Sequence, residues 1–181
     1  MEIERLAIPD VLLLRPRVFT DERGRFFESW SRDRYREAGI LEDFVQDNIS
    51  ISKKGVLRGL HAQRPPHAQG KLVSVLQGRV FDVAVDTRPG STTYGQWVGV
   101  ELTAAEANQM YIPPGFLHGF VALEDTIFSY KCSVNYTQSA EFSVLWSDPQ
   151  IGVTWPILDP ILSEKDRNAP VLKHSLLEHR R

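Results

Sequence analysis

The chain is built from short apolar runs with a period near two, broken again and again by turn residues, and this limits what it can fold into. Val11-Leu12-Leu13-Leu14 stops at Pro16, and Phe26-Phe27-Glu28-Ser29-Trp30 is entered through Asp21-Glu22-Arg23-Gly24. Leu72 to Leu76 runs to a turn at Gln77-Gly78, and Val80 to Asp86 runs to the loop Arg88-Pro89-Gly90-Ser91. Gln96 to Leu102, Gln109 to Ile112, Gly119 to Leu123 and Ile127 to Val134 continue the series. One helix interrupts it, with Ser31 to cap it, Asp33 in its first turn and Gly39 to end it. Strands at this spacing without alternating helices exclude a doubly wound fold and predict a mainly β antiparallel sandwich or barrel.

At 181 residues the chain is expected to form a single domain, residues 1–181, with the polar tail from about Asp159 onward packing over or beside the barrel. A formal net charge of -2 offers no global basic field, so no nucleic acid partner is expected and any anionic ligand needs locally placed Arg and Lys. Cys132 is the single cysteine, which excludes a disulfide framework or a thiolate metal cluster within one chain. No run approaches the roughly 20 apolar residues of a membrane helix, so no membrane partner is expected. The charged opening Met1 to Arg5 does not read as a signal peptide, and a cytoplasmic location follows as the expectation.

Chemistry concentrates in Val56 to Lys71, which holds Arg58, His61, Gln63, Arg64, His67 and Lys71 between two apolar runs. Imidazoles and cations beside an apolar wall suit a pocket for an anionic, proton-transferring ligand. Taken singly, Arg58 and Lys71 also fit solvated strand edges, and His61 fits a hydrogen-bonded structural histidine. Strict alternation sets Arg58 and His61 on opposite faces, and Gly59 between them predicts a bulge that re-aims them. Tyr130 alternates with Phe128, Cys132 and Val134, so it points inward, either as a core tyrosine or as an acid. Asp166 reads locally as the third residue of a capped turn. The segment Pro113-Pro114-Gly115-Phe116-Leu117-His118 resembles the second motif of cupins, which often bind metals. Their first motif supplies two histidines one residue apart, whereas here it reads His61-Ala62-Gln63. Gln63 is a poor ligand for such a metal, so no metal and no cofactor is expected.

Further blocks carry a resemblance over nearly the whole length. They include Phe19-Thr20-Asp21-Glu22-Arg23-Gly24, Phe44 to Asn48, Val56 to His61, Gln69 to Val73, Val80 to Asp86, Ile112 to Phe120, Tyr130-Lys131-Cys132 and Leu162 to Asp166. With these the chain resembles the dTDP-4-dehydrorhamnose 3,5-epimerases, metal-independent enzymes of dTDP-L-rhamnose synthesis. The resemblance implies a cupin-like jelly-roll barrel with a few short helices, acting without a cofactor on a dTDP-4-keto-6-deoxyhexose. It implies His61 as base, Asp166 as its orienting carboxylate, Tyr130 as acid on the opposite face, and Lys71 as stabiliser of the enolate. Substrate-binding positions are then Arg23, Glu28, Gln46, Asn48, Arg58, His118, Glu141 and Lys165, with Tyr136 stacking on the base. A homodimer is implied too, in which Arg23 or Glu28 serves the partner's pocket. Two residues depart from the family pattern: Ala62, where an aromatic is usual, and Phe142, where a glycine is usual. The rival readings are an epimerase acting at one carbon, a non-catalytic sugar-nucleotide-binding module, and a metal-dependent cupin oxygenase.

Overall fold

The computed structural model describes residues 1–172. In chain order the strands are β1 (Glu2–Arg5), β2 (Leu12–Arg15), β3 (Val18–Asp21), β4 (Gly24–Phe27), β5 (Gln46–Ser52), β6 (Leu57–Gln63) and β7 (Lys71–Gln77). They continue with β8 (Arg79–Asp86), β9 (Trp97–Thr103), β10 (Gln109–Ile112), β11 (Phe116–Ala122), β12 (Thr126–Cys132) and β13 (Glu141–Ser143). Helices α1 (Arg32–Glu37) and α2 (Glu164–Arg167) are short. One sheet runs β1-β2-β10-β7-β12-β5 and faces a second running β13-β6-β11-β8-β9, while β3 and β4 pair as a separate hairpin. The mainly β, two-sheet architecture is the one expected from the spacing of the apolar runs, and its cupin-like form is the one the family resemblance implies.

Both sheets give one face to a shared interior. Leu13, Val73, Val75, Met110, Ile112 and Phe128 come from the first sheet, and Val80, Ala84, Leu102, Phe116 and Phe120 from the second. Phe120 and Phe128 stack at 4.2 Å between ring centroids, joining the sheets near the site. The outer face of the second sheet is not left to solvent. Leu57, Leu60, Val83, Val85, Leu117 and Val121 are covered by Val144, Ile151, Trp155 and Leu172 from the C-terminal segment. Strands buried on both faces read as near-continuous apolar runs, as β8 and β11 do.

Several element boundaries differ from expectation. The strand expected at Phe26–Trp30 ends at Phe27 and pairs with β3 as a hairpin. Strands β1 and β13 carry little apolar pattern, because β1 is exposed along its length and β13 is only partly buried. The helix spans Arg32–Glu37, shorter than Ser31 to Gly39, and the Ser31 side chain makes no capping hydrogen bond. Gly39 does end it, at φ +90°. The expected tail is described as far as Leu172. Ile161 bonds Gly55 and Leu57 through backbone N–H to O distances of 2.8 and 3.0 Å, pinning the strap that leads into α2. Residues 173–181 of that expected tail lie outside the described residues.

The expected bulge at Gly59 is present. His61 pairs with His118 and Arg58 with Phe120, so Gly59 and Leu60 together oppose the single residue Gly119. Gly59 has φ +139°, and a Cβ there would lie 2.5 Å from the Gly119 Cα. Only two glycines allow the backbones to approach this closely. The extra residue turns Arg58 and His61 toward one cavity. Gly59→Ala is therefore expected to cost about 2 kcal/mol or more in denaturant unfolding and to displace His61, lowering turnover in the fraction that folds. Unchanged stability would show that the bulge tolerates a side chain.

Candidate active site

A cavity of about 300 Å³ opens at one end of the sandwich, between the two inner faces. Arg58 and His61 reach it from β6, Lys71 from β7, His118 and Phe120 from β11, and Phe128 and Tyr130 from β12. Ser163, Lys165 and Asp166 arrive from the strap and α2. A second recess of about 250 Å³ shares His61, Lys71 and Tyr130 and is continued by Gln46, Asn48, Gln69, Cys132, Tyr136 and Glu141. The three shared residues thus stand where an elongated ligand would cross from one chamber to the other.

His61 Nε2 lies 2.5 Å from Asp166 Oδ1, although 105 residues separate the two in sequence. Asp166 is the third residue of α2, and its N–H donates to the Ser163 hydroxyl at 3.1 Å. Asp166 thus sits as the third residue of a capped turn, as its local sequence reads, and the same carboxylate reaches the His61 ring. Burial alone would raise the Asp166 pKa. Hydrogen bonds from His61, Ser163 and the Gly59 N–H outweigh it and keep the carboxyl below its usual range. A carboxylate held ionised favours the tautomer with the proton on Nε2, so that Nδ1 keeps the lone pair.

Lys71 and Tyr130 are displaced from their ordinary pKa values in opposite directions. Burial lowers Lys71, against the pull of Cys132, Asp82 and Glu141. Burial raises Tyr130, so its phenol keeps its proton. A phenol that stays protonated suits an acid, and a lysine cation with reduced solvation suits an anion stabiliser.

His118 faces the same cavity, but its Nε2 is 3.0 Å from both carboxylate oxygens of Asp82, and that carboxylate is fully buried. Burial lowers His118 and raises Asp82, each only partly offset by the other. Sequence reasoning missed Asp82. It sits on the inward register of β8 with Val80 and Ala84, and a carboxylate on a buried apolar face was the available signal.

The remaining expected binding residues fall into two groups. Gln46, Asn48, Arg58, Glu141 and Lys165 border the two chambers. Lys165 Nζ pairs with Glu141 at 2.6 Å across the mouth, and Tyr136 donates its hydroxyl to Glu141 at 3.1 Å. Burial would raise Glu141, and these partners hold it below its usual range. Arg23 and Glu28 line neither chamber. Arg23 pairs with Asp21 on the exposed β3–β4 hairpin, and Glu28 lies 3.3 Å from Arg34. Of the family departures, Ala62 is 7% exposed in the outer core, and Phe142 packs there beneath the Arg64 guanidinium at 4.5 Å. Among the described residues no cluster of three or more His, Cys, Asp or Glu could hold a metal ion.

A histidine–carboxylate pair, a desolvated lysine and an inward tyrosine on a cupin-like sandwich define a proton-transfer enzyme. The comparisons with known proteins narrow the class. The family model for dTDP-4-dehydrorhamnose 3,5-epimerase matches residues 5–174. The curated dTDP-4-dehydrorhamnose 3,5-epimerase of Salmonella typhimurium is 54% identical over 180 residues, covering 98% of each chain. The solved dTDP-6-deoxy-D-glucose-3,5-epimerase of Legionella pneumophila, in complex with dTDP-4-keto-L-rhamnose, superposes with a TM-score of 0.92. It is 49% identical, with 95% of this chain and 93% of that one covered. A 3'-monoepimerase from Streptomyces bikiniensis has the same fold at 35% identity and a TM-score of 0.87, with 93% and 86% covered. The chain belongs to the dTDP-4-dehydrorhamnose 3,5-epimerase family.

The displaced lysine predicts a conflict between stability and function. Its folded pKa lies below the ordinary 10.5, so folding disfavours the ammonium at neutral pH. That cost is complete below the folded pKa and fades as pH rises through it toward 10.5. Lys71→Met should therefore raise Tm at pH 7 by about 2–4 °C while abolishing turnover. The stability gain should shrink in alkaline buffer, and a lower Tm at pH 7 would contradict the assignment.

Proposed function

We infer that this protein converts dTDP-4-dehydro-6-deoxy-D-glucose to dTDP-4-dehydro-L-rhamnose, inverting C3 and C5 on either side of the C4 ketone. The observation that carries the reading is the convergence of the His61–Asp166 pair, Lys71 and Tyr130 on one cavity. A hydrogen α to a ketone is acidic because its electron pair passes into the carbonyl. His61 takes that proton, the C–H pair becomes the enolate double bond, and negative charge collects on O4. Lys71 faces that oxygen as a fixed ammonium, favouring the enolate over the neutral ketone. Tyr130 then donates its proton from the opposite face, which inverts the carbon. Exchange with water moves a proton from imidazolium back to tyrosinate and resets the site. The same cycle serves the second carbon, because both flank one oxygen.

Arg58 and Lys165 supply positive charge suited to the diphosphate. Gln46, Asn48 and Glu141 suit the sugar or thymine edges, and Tyr136 offers a face to the base. His118, held by Asp82, closes the cavity beside Lys71. The chain acts as a single cytoplasmic catalytic domain in dTDP-L-rhamnose synthesis, and among the described residues no helix is long and apolar enough to cross a membrane. We propose a homodimer in which the β3–β4 hairpin reaches the partner's pocket. Phe19 and Phe26 on that hairpin are 51% and 71% exposed, as an arm awaiting a second surface would be.

In D2O with the natural substrate, deuterium is expected at both C3 and C5. His61→Ala should stop exchange at both, and Asp166→Asn should slow it about 10²–10⁴-fold without weakening dTDP binding. Tyr130→Phe should permit exchange while blocking inversion. Exchange at one carbon alone would make the protein a monoepimerase, and loss of exchange on adding a chelator would restore a metal-dependent reading.

For the dimer, neither His61→Ala nor Arg23→Ala protein should turn over efficiently alone, and mixing them should restore activity. Each mixed dimer then contains one site with both residues intact. Simple averaging of the two activities would refute the exchanged arm.

A further inference from the structure

Gln63 stands where a metal-binding cupin would carry its second histidine, and the functional reading above gives it no role. It is 5% exposed at the end of β6, and its side chain is almost fully used within the protein. Its Nε2 donates to the His67 carbonyl at 2.8 Å and to the Asn135 carbonyl at 3.5 Å, while its Oε1 accepts from the Thr137 N–H at 2.6 Å. An amide with both donors and its oxygen engaged has little capacity left for a ligand. What it does is hold two loops together, residues 64–70 and 133–137. The same pair of loops is joined by Gln69 Nε2 to the Val134 carbonyl at 2.7 Å and by Thr137 Oγ1 near His67 Nδ1 at 3.3 Å.

Tyr136 lies between Asn135 and Thr137, two of the three residues that Gln63 grips. Its own N–H donates to Gln46 Oε1 at 2.8 Å, and its hydroxyl reaches Glu141, the cross-strand partner of Gln63. The ring remains 52% exposed on the wall of the second recess. We propose that Gln63 is a positioning residue that presents Tyr136 to the nucleotide, so that it sets substrate affinity without acting in proton transfer. This rests on reading that recess as the nucleotide end of the site. The physical basis is preorganisation: an aromatic face already fixed in place loses little conformational freedom when a base settles on it. A loop that samples other positions lowers apparent affinity by its competent fraction.

The test combines steady-state kinetics with calorimetric titration of dTDP on the intact protein, using Gln63→Leu, Gln63→Glu, Tyr136→Ala and the Gln63→Leu/Tyr136→Ala double variant. Gln63→Leu should raise KM and the dTDP Kd about tenfold with kcat changed by less than about twofold. Gln63→Glu keeps an acceptor for the Thr137 N–H but loses both donors. It should fall between wild type and Gln63→Leu, and it carries the test if Gln63→Leu fails to fold. Once Tyr136 is Ala, removing the Gln63 amide should weaken dTDP no further. Additive losses in the double variant, or a fall in kcat and Tm with KM unchanged, would overturn the proposal. An unchanged dTDP affinity in Tyr136→Ala alone would overturn it through its parent reading, because no base contact would remain to be positioned.

Discussion

The contact between His61 and Asp166 is the constraint around which the site is arranged, because neither residue can keep its partner by local structure. Asp166 belongs to a helix of four residues, too short to be stable alone. Its position is secured by the strap before it, where Ile161 joins the sheet beside Gly55 and Leu57, and by Leu172 after it, buried in the outer core. The apolar cover of the second sheet therefore does more than exclude water. It fixes a carboxylate at hydrogen-bonding distance from an imidazole on β6, and the Gly59–Gly119 approach turns that imidazole toward the same cavity.

The sandwich interior also has to contain Lys71, Asp82 and His118, three polar groups that burial penalises. They lie close enough to influence one another, which limits the penalty without removing it. Well-packed apolar residues in place of such buried polar groups often serve a fold as well or better, and the stacked Phe120–Phe128 pair already supplies apolar packing beside them. The cost is intelligible through the chemistry. An ammonium stripped of water interacts strongly with charge that develops on a nearby oxygen, whereas a solvated one is screened.

Much of this was legible in the residues themselves. The period-two runs bounded by turn signals located most inner strands, since their alternating burial leaves a direct imprint. Gly59 could be read as a bulge because a glycine between two polar residues on a buried strand has few other uses. The edge strands β1 and β13 were not legible, having no apolar stripe to record their pairing. The alternation of β8 is legible, but the partnership of Asp82 with His118 lies 36 residues along the chain and no local pattern encodes it. The partnership of Asp166 with His61 depends on a tertiary path of 105 residues, and no local pattern encodes it. It came from resemblance to a family, and the structure supplies its physical basis.

The sequence His61-Ala62-Gln63 shows how one strand can serve a different chemistry from that of a metal-binding relative. A metal site needs imidazoles that converge on a common point with lone pairs free. Here each ring nitrogen facing a carboxylate is already committed, His61 to Asp166 and His118 to Asp82. The residue in the second-histidine position has a different environment again. Alternation places Gln63 on the same side as His61, but its amide turns into the seam between two loops and is consumed there. The strand thus carries the carboxylate-paired His61 at one position and a loop clamp two residues later, with Ala62 between them packed into the opposite core. A glutamine in the second-histidine position is therefore more than a missing ligand. The vacated position has been given a partner set of its own, which is why restoring a histidine there would break the loop seam without assembling a metal site.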